Sequence, residues 1–346
     1  MPATTPDRNA PVPEPGRAPG LPAIEIPTLL LILATYAAWL AVTSAYGRWP
    51  TWLVVPVTAV LLTLHSSLQH EILHGHPTRW RAVNRLLGIL PLSLWLPYDR
   101  YHDLHLTHHI NDRLTDPHDD PESCYWDPQE WARLGALERG LVWIQQTLAG
   151  RVVVGPYFRI ARFLRVELAA AIRGEARQRA VWLEHVALCI PVLLWVRLVC
   201  GIPLWLYVVA MAIPGNGILL IRSFAEHRAV PAVRERTAIV EGSWLLGPLF
   251  LFNNLHALHH EEPLLPWYAY LARYRATRDR LLAANGGLLY KTYFDVARRY
   301  LFRPHDVPAH PMGGVPRRQP PASRPRAART SAGFEPAAPA DQAGRS

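Results

Sequence analysis

The stretch LQHEILHGHPT, residues 68–78, contains His70-Glu71-Ile72-Leu73-His74, which matches the H-E-x-x-H pattern of a zinc protease. Its meaning depends on what precedes it. Residues 49–69 carry no charge, and neither do residues 26–46; each run is long enough to cross a hydrocarbon core about 30 Å thick. A third apolar stretch covers residues 186–221, interrupted only by Arg197, and Gly201-Ile202-Pro203 is a turn signal that divides it into two helices. The pattern therefore stands at the end of a membrane helix. The predicted fold class is an all-α integral membrane protein, with four transmembrane helices in two hairpins and a histidine-rich helical cap.

Composition agrees with this reading. Half of the 346 residues are hydrophobic and only 18% are charged, against about 25% in soluble proteins. The net charge is +9, carried almost wholly by Arg. The basic residues are spread along the chain rather than set on one recognition helix, so nucleic acid is not an expected partner. Residues 75–180 hold 14 Arg and the turn at Gly201 holds none, which places the cap and both termini on the cytoplasmic side by the positive-inside rule. The first apolar run follows 22 residues rich in Pro and Ala and is not a secretory signal. Residues 1–22 and 307–346 read as disordered tails around one domain, 23–306. Two shorter apolar stretches, 86–98 and 243–255, are too short to span and read as interfacial or re-entrant. Cys124, Cys189 and Cys200 form no cluster, which excludes a thiolate-bound iron–sulfur centre and argues against a disulfide framework.

Most of the 16 histidines gather in three places. His70 and His74 are one helical turn apart. His105, His108 and His109 have the spacing H-x-x-H-H, and so do His256, His259 and His260. On a helix, positions i, i+3 and i+4 lie near one face, so each set is expected to offer its imidazoles to a common centre. A lone buried histidine is more often a hydrogen-bonded core residue than a ligand. Repetition on one side of a membrane changes that, because so many imidazoles together are costly to desolvate or charge without metal ions to bind them. A zinc protease uses three protein ligands on one metal with Glu as base. Eight clustered histidines are too many for it, and residues 198–221 contain no carboxylate to complete the site.

The boxes at 70–74, 105–109 and 256–260 resemble the three histidine boxes of the integral-membrane fatty acid desaturases and related hydroxylases. The resemblance covers residues 25–305, and RLTDPHDDPES at 113–123 is similar to bacterial members. It implies a ninth ligand, His227 in RSFAEHR, after the fourth membrane helix. The implied metal ligands are His70, His74, His105, His108, His109, His227, His256, His259 and His260, holding two iron ions. Some members carry Asn four residues before this histidine; here Ser223 stands there, and Asn253 or Asn254 could substitute. Glu71, His102, Asp103, Asp112, Asp116, Asp120 and Glu226 stand beside the boxes and could take the ring N–H bonds of ligands, or serve as ordinary loop charges. His65 is expected to pack or line the site.

The resemblance implies a fatty acyl desaturase that uses O2 as co-substrate, two external electrons and two protons to insert a cis double bond into an acyl lipid or thioester. A hydroxylase of lipids, alkanes or carotenoids on the same scaffold is the alternative, and the zinc protease a distant one. Trp95, Tyr98, Trp244 and Phe250 are candidates for an acyl tunnel or for interfacial anchoring, and Arg100 and Arg113 for holding an anionic head group. With no flavin, haem or iron–sulfur motif in the chain, the electron donor is external, such as a ferredoxin docking on the Arg-rich face. The expected location is the bacterial inner membrane, among membrane lipids.

Overall fold

In the computed structural model, residues 20–110 and 114–313 are described. The two charge-free runs form α1 (Ile26–Ser44) and α2 (Thr51–Leu73). After α3 (Arg81–Gly88) and α4 (Tyr98–Ile110), a loop leads into three short helices, α5 (Pro128–Arg133), α6 (Ala136–Ile144) and α7 (Leu148–Val153). Their starts are set locally: the Asp127 carboxylate accepts the N–H groups of Gln129 and Glu130, and Thr147 accepts that of Gly150. The longer α8 (Gly155–Ile172) then runs into α9 (Ala176–Val199), and α10 (Leu204–Phe224) follows. Both α9 and α10 contain a π-helical segment, at Trp195–Val199 and Tyr207–Ala212. Gly201, with φ +69°, makes the turn between them in a conformation that favours glycine.

Four helices, α1, α2, α9 and α10, are long and apolar enough to cross a membrane. At about 1.5 Å per residue they measure roughly 28–36 Å. Their outward faces fit lipid rather than water: Leu30, Leu183, Leu198 and Trp205 are each at least 60% exposed. Inward, Trp39, Val54, Leu62, Val196, Tyr207 and Met211 form one core. Polar groups at this depth find partners within the protein at Tyr207 and Trp39, as a bilayer favours. The Tyr207 hydroxyl donates to the Leu92 carbonyl (2.8 Å) and accepts from Trp39 Nε1 (3.1 Å).

The irregular backbone of residues 89–97 uses the same device. Leading into it, Tyr36 and Gln69 donate to the last carbonyls of α3, those of Leu87 and Gly88, and His185 Nε2 lies 2.9 Å from the Leu94 carbonyl within it. The segment 243–255 likewise turns tightly, with positive φ at Leu251 and Phe252.

The centre of the packing is α2, which contacts both α1 and α10. Thr63 Oγ1 donates across to the Gly215 carbonyl at 2.8 Å, and a Cβ on Gly215 would come within 2.8 Å of the Ala59 carbonyl. Small residues permit such backbone approach between membrane helices. Gly215→Val is therefore expected to force α2 and α10 apart. With overpacking worth about 1–3 kcal/mol or more, the thermal midpoint of the detergent-purified protein should fall well below wild type; an unchanged midpoint would refute the close crossing.

Beyond α10, β1 (Ile239–Val240) pairs in parallel with β2 (Leu289–Tyr290), matching Ile239 to Leu289 and Val240 to Tyr290. Between them lie α11 (Leu246–Leu249), α12 (His256–Glu261) and α13 (Tyr270–Ala284), and α14 (Tyr293–Tyr300) follows. Leu148, Phe224, Phe250, Tyr293 and Val296 join these pieces in a second core. Residues 307–313, assigned to the tail by composition, are placed against the domain: Trp126 N–H donates to the Pro308 carbonyl, and His310 is buried. The described fold therefore continues past 306. Residues 1–19 and 314–346 lie outside the described residues.

Candidate metal centre

Four pieces of chain bring nine histidines together. α2 supplies His70 in its last turn and His74 as its C-cap, with ring centroids 5.0 Å apart. α4 supplies His105, His108 and His109, and α12 supplies His256, His259 and His260. His227 follows α10 and is fixed by a backbone bridge between its own residue and Thr237. The rings divide into two groups that could each hold a metal ion: His70, His74, His105, His109 and His259 in one, and His108, His227, His256 and His260 in the other. Within a group the candidate ligand atoms lie within 4.8 Å of one another.

This division corrects the expectation that each box faces one centre. Around a helix at about 100° per residue, i and i+4 differ by roughly 40°, whereas i+3 falls about 60° to the other side. His105 and His109 accordingly stay together, as do His256 and His260. The middle residue of each box crosses over: His108 joins the α12 pair, and His259 joins the α4 pair. The crossing ties the two groups into one unit. His108 and His260 have ring centroids 4.9 Å apart, and those of His109 and His259 are separated by 4.6 Å.

Hydrogen bonds fix the tautomers of several rings. His108 Nδ1 lies 2.8 Å from Asp120 Oδ1, and His105 Nδ1 lies 2.7 Å from Glu122 Oε1. His256 Nδ1 lies 2.9 Å from Asn253 Oδ1, and His259 Nδ1 meets the Tyr270 hydroxyl at 2.9 Å. A ring that donates from Nδ1 presents a lone pair at Nε2. His105 Nε2 faces the Nε2 atoms of both His74 and His109 at 3.0 Å, and His256 Nε2 faces those of His227 (3.1 Å) and His260 (3.2 Å). One lone pair cannot accept well from two donors at once. Nitrogens bound at about 2.1 Å to a common ion, with neighbouring bonds perpendicular, sit roughly 3.0 Å apart. Further, His108 Nε2 and His259 Nε2 are buried without a hydrogen-bond partner among the described residues. Converging lone pairs and buried orphan nitrogens are what a cation site requires, so the residues fit metal ions.

The electrostatics point the same way. Burial, reinforced by the neighbouring rings, holds His74, His109, His256, His259 and His260 well below the usual histidine range. Burial, with His108 adding to it, brings His227 down to about 3. Neutral imidazole is the metal-binding form. His108 is the exception. Burial opposes its charge, but Asp120 and Glu122 outweigh that and raise it to about 9.

The other expected residues separate by position. Asp120 is buried and bonds His108, while also accepting the N–H groups of Thr115 (2.8 Å) and Glu122 (2.9 Å). Glu226 lies 3.0 Å from Arg222 and 3.4 Å from His256 Nδ1. Asn253 bridges the groups, its Nδ2 being 3.3 Å from His70 Nε2. Asn254 instead donates to the Val240 carbonyl, holding the strand pair to the α12 approach. Glu71, contrary to expectation, accepts the Trp267 backbone N–H (2.9 Å) and lies near His76 rather than a clustered ring. Adjacency in sequence misleads here because consecutive helical side chains diverge by about 100°. Asp103, two residues before His105 and so on the opposite side of α4, pairs with Arg177 (3.0 Å), and His102 lies beside Asp103 outside both groups. Asp116 accepts the N–H groups of His118 and Asp119, shaping the turn. Asp112 and Arg113 lie outside the described residues.

Three further expectations are resolved. His65 packs, its Nε2 lying 3.2 Å from the Tyr36 hydroxyl. Arg100 is buried in a two-bond pair with Glu167 and is not open to a head group. Trp244 is 84% exposed, which fits anchoring rather than a tunnel wall, whereas Phe250 is 1% exposed against Tyr293. Sequence reasoning missed Glu122 and Tyr270. Glu122 was within reach, in the acidic turn that carries Asp120; Tyr270 lies on a separate helix, where no spacing relates it to His259.

For the zinc-protease pattern, the decisive facts are that His70 and His74 join three more histidines and that Glu71 is engaged elsewhere. The family profile described as Fatty acid desaturase matches residues 47–294, a range that holds all nine rings. No curated protein and no solved structure shows a significant match.

Proposed function

As the chain belongs to the fatty acid desaturase family, we propose that it is a membrane-bound di-iron desaturase that inserts a cis double bond into an acyl chain. The observation that carries this reading is the pair of adjoining histidine groups at the ends of apolar helices. Two irons, when bound by these nine imidazoles, would supply the O2 reduction and C–H oxidation that no side-chain acid or base performs. The overall reaction consumes O2, two electrons and two protons and yields the alkene and two water molecules.

The chain's own residues position and insulate that chemistry. Asp120, Glu122, Asn253 and Tyr270 orient four of the rings through their outer nitrogens. Tyr207, Tyr36 and Gln69 tie the end of α3 and the irregular segment after it to the spans. The acyl substrate would approach from the bilayer. The active side faces the cytoplasm of a bacterial inner membrane, where a small acidic carrier such as ferredoxin delivers electrons to the Arg-rich surface. Turnover with a purified carrier should weaken as salt rises; no dependence on ionic strength would remove that partner.

Elemental analysis of the detergent-purified protein tests the centre, with two irons per chain expected and zinc without iron as the refuting result. Product analysis then tests the reaction: an alkene supports desaturation, and an alcohol alone overturns it in favour of hydroxylation. Glu71→Gln provides an independent check. Because its carboxylate accepts the Trp267 N–H and lies near His76 rather than a clustered ring, the variant is expected to keep both metals and most of its activity. Complete loss of activity with full metal content would give Glu71 a catalytic part.

A further inference from the structure

α8 has three faces. At 3.6 residues per turn, Tyr157, Ala161, Leu164, Leu168 and Ile172 fall in one stripe, and all are exposed, Leu168 to 62% and Ile172 to 73%. Arg162, Arg165 and the C-cap Arg173 form the neighbouring stripe, also exposed. The third face turns inward, where Glu167 pairs with Arg100 and accepts from Trp182. Since Glu167 is the one acid on this helix and is buried, the outer surface of α8 carries positive charge alone. Arg173 reaches Glu175 just past the helix end at 3.1 Å. Arg162 lies over the Trp126 ring at 4.8 Å, and neither it nor Arg165 forms an ion pair among the described residues.

This face is continuous with the membrane surface of the protein. α8 packs against α9 and α10 and passes through Gly174 directly into α9, whose Leu183, Val186 and Ile190 are exposed. An apolar stripe flanked by arginines, adjoining a membrane span, is suited to lie in the headgroup layer, with its apolar side toward the acyl chains. We propose that α8 lies in that layer and that Arg162, Arg165 and Arg173 bind anionic phospholipid headgroups. The assignment is independent of the reaction at the histidines.

The test uses the full chain in nanodiscs of phosphatidylcholine with and without phosphatidylglycerol, reading retained lipid by native mass spectrometry and the thermal midpoint. Wild type should retain phosphatidylglycerol preferentially and unfold at a higher temperature when it is present. At about fivefold in affinity per arginine near an anionic surface, combining Arg162→Gln, Arg165→Gln and Arg173→Gln should reduce that preference by on the order of a hundredfold. These side chains are exposed, so the fold should survive; Arg298→Gln on α14 serves as a charge control and should leave the preference intact. Equal retention of both lipids by wild type, or an undiminished preference in the triple variant, overturns the proposal. So does a dimer that Leu164→Glu with Leu168→Glu converts to monomer, because a second copy would then cover the stripe.

Discussion

Alanine at His108, His227 or His260 is expected to abolish turnover and to lower the metal content from two ions per chain to one. The reason lies in the unequal sizes of the groups. His108, His227, His256 and His260 form a set of four, and removing one leaves three imidazoles with a gap on one side. The other set has five members, so His74→Ala or His109→Ala still leaves four nitrogens around the centre. Loss of one ion should therefore be sharper for the set of four, with the five-membered set retaining metal more readily under the same chelator challenge. Elemental analysis of each variant, beside product assays, checks this directly. Equal metal loss across both sets would mean that the groups do not act as separate centres. Full activity in any one of the three variants would remove that residue from the ligand set.

The crossing of His108 and His259 shows where sequence reading reaches its limit. The three boxes are legible because metal ligands need particular residue types, and the apolar runs are legible because a bilayer needs length without charge. Four helices and the same nine histidines emerge from both readings. What spacing alone leaves open is which nitrogen faces which centre. That depends on how each box helix is rolled in its packing; for α12, Leu255 and Leu258 pack on Ile239, Tyr270, Tyr274 and Leu281, which no spacing within the box foretells. The same limitation explains the acids. Asp120, Glu122 and Asp116 share one acidic turn, and all look alike as letters. Asp120 and Glu122 reach His108 and His105, while Asp116 closes the turn on His118 and Asp119. Glu71 and Asp103 illustrate the converse, since on a helix a carboxylate one residue from a box histidine points about 100° away from it, and one two residues away points to the opposite side. Tyr270 had no signal at all: an apolar-looking aromatic at the start of α13 becomes a partner for His259 only when the helices meet.

Asp120→Asn should cost about 10–100-fold in affinity for the ion held by the four-membered set, the usual effect of removing a carboxylate that orients a ligand ring. The substitution preserves shape but not hydrogen-bond sense. The native carboxylate accepts from His108 Nδ1 and from the Thr115 and Glu122 N–H groups. Asn offers one acceptor oxygen and one donor nitrogen, so whichever way it turns, an N–H group faces another donor in a buried place. It also removes the larger of the negative charges that hold His108 up at about 9. The His108 ring loses both its orientation and the charge that raises its basicity toward a metal. Glu122→Gln should do less, because that side chain is 32% exposed and bonds a single ring of the five-membered set. A chelator titration that resolves two metal-release steps separates the cases: Asp120→Asn should shift one step and leave the other in place. If both steps remain where wild type has them, Asp120 serves only to shape the turn from Thr115 to Glu122, and the orientation of His108 must come from packing against His227 and His260.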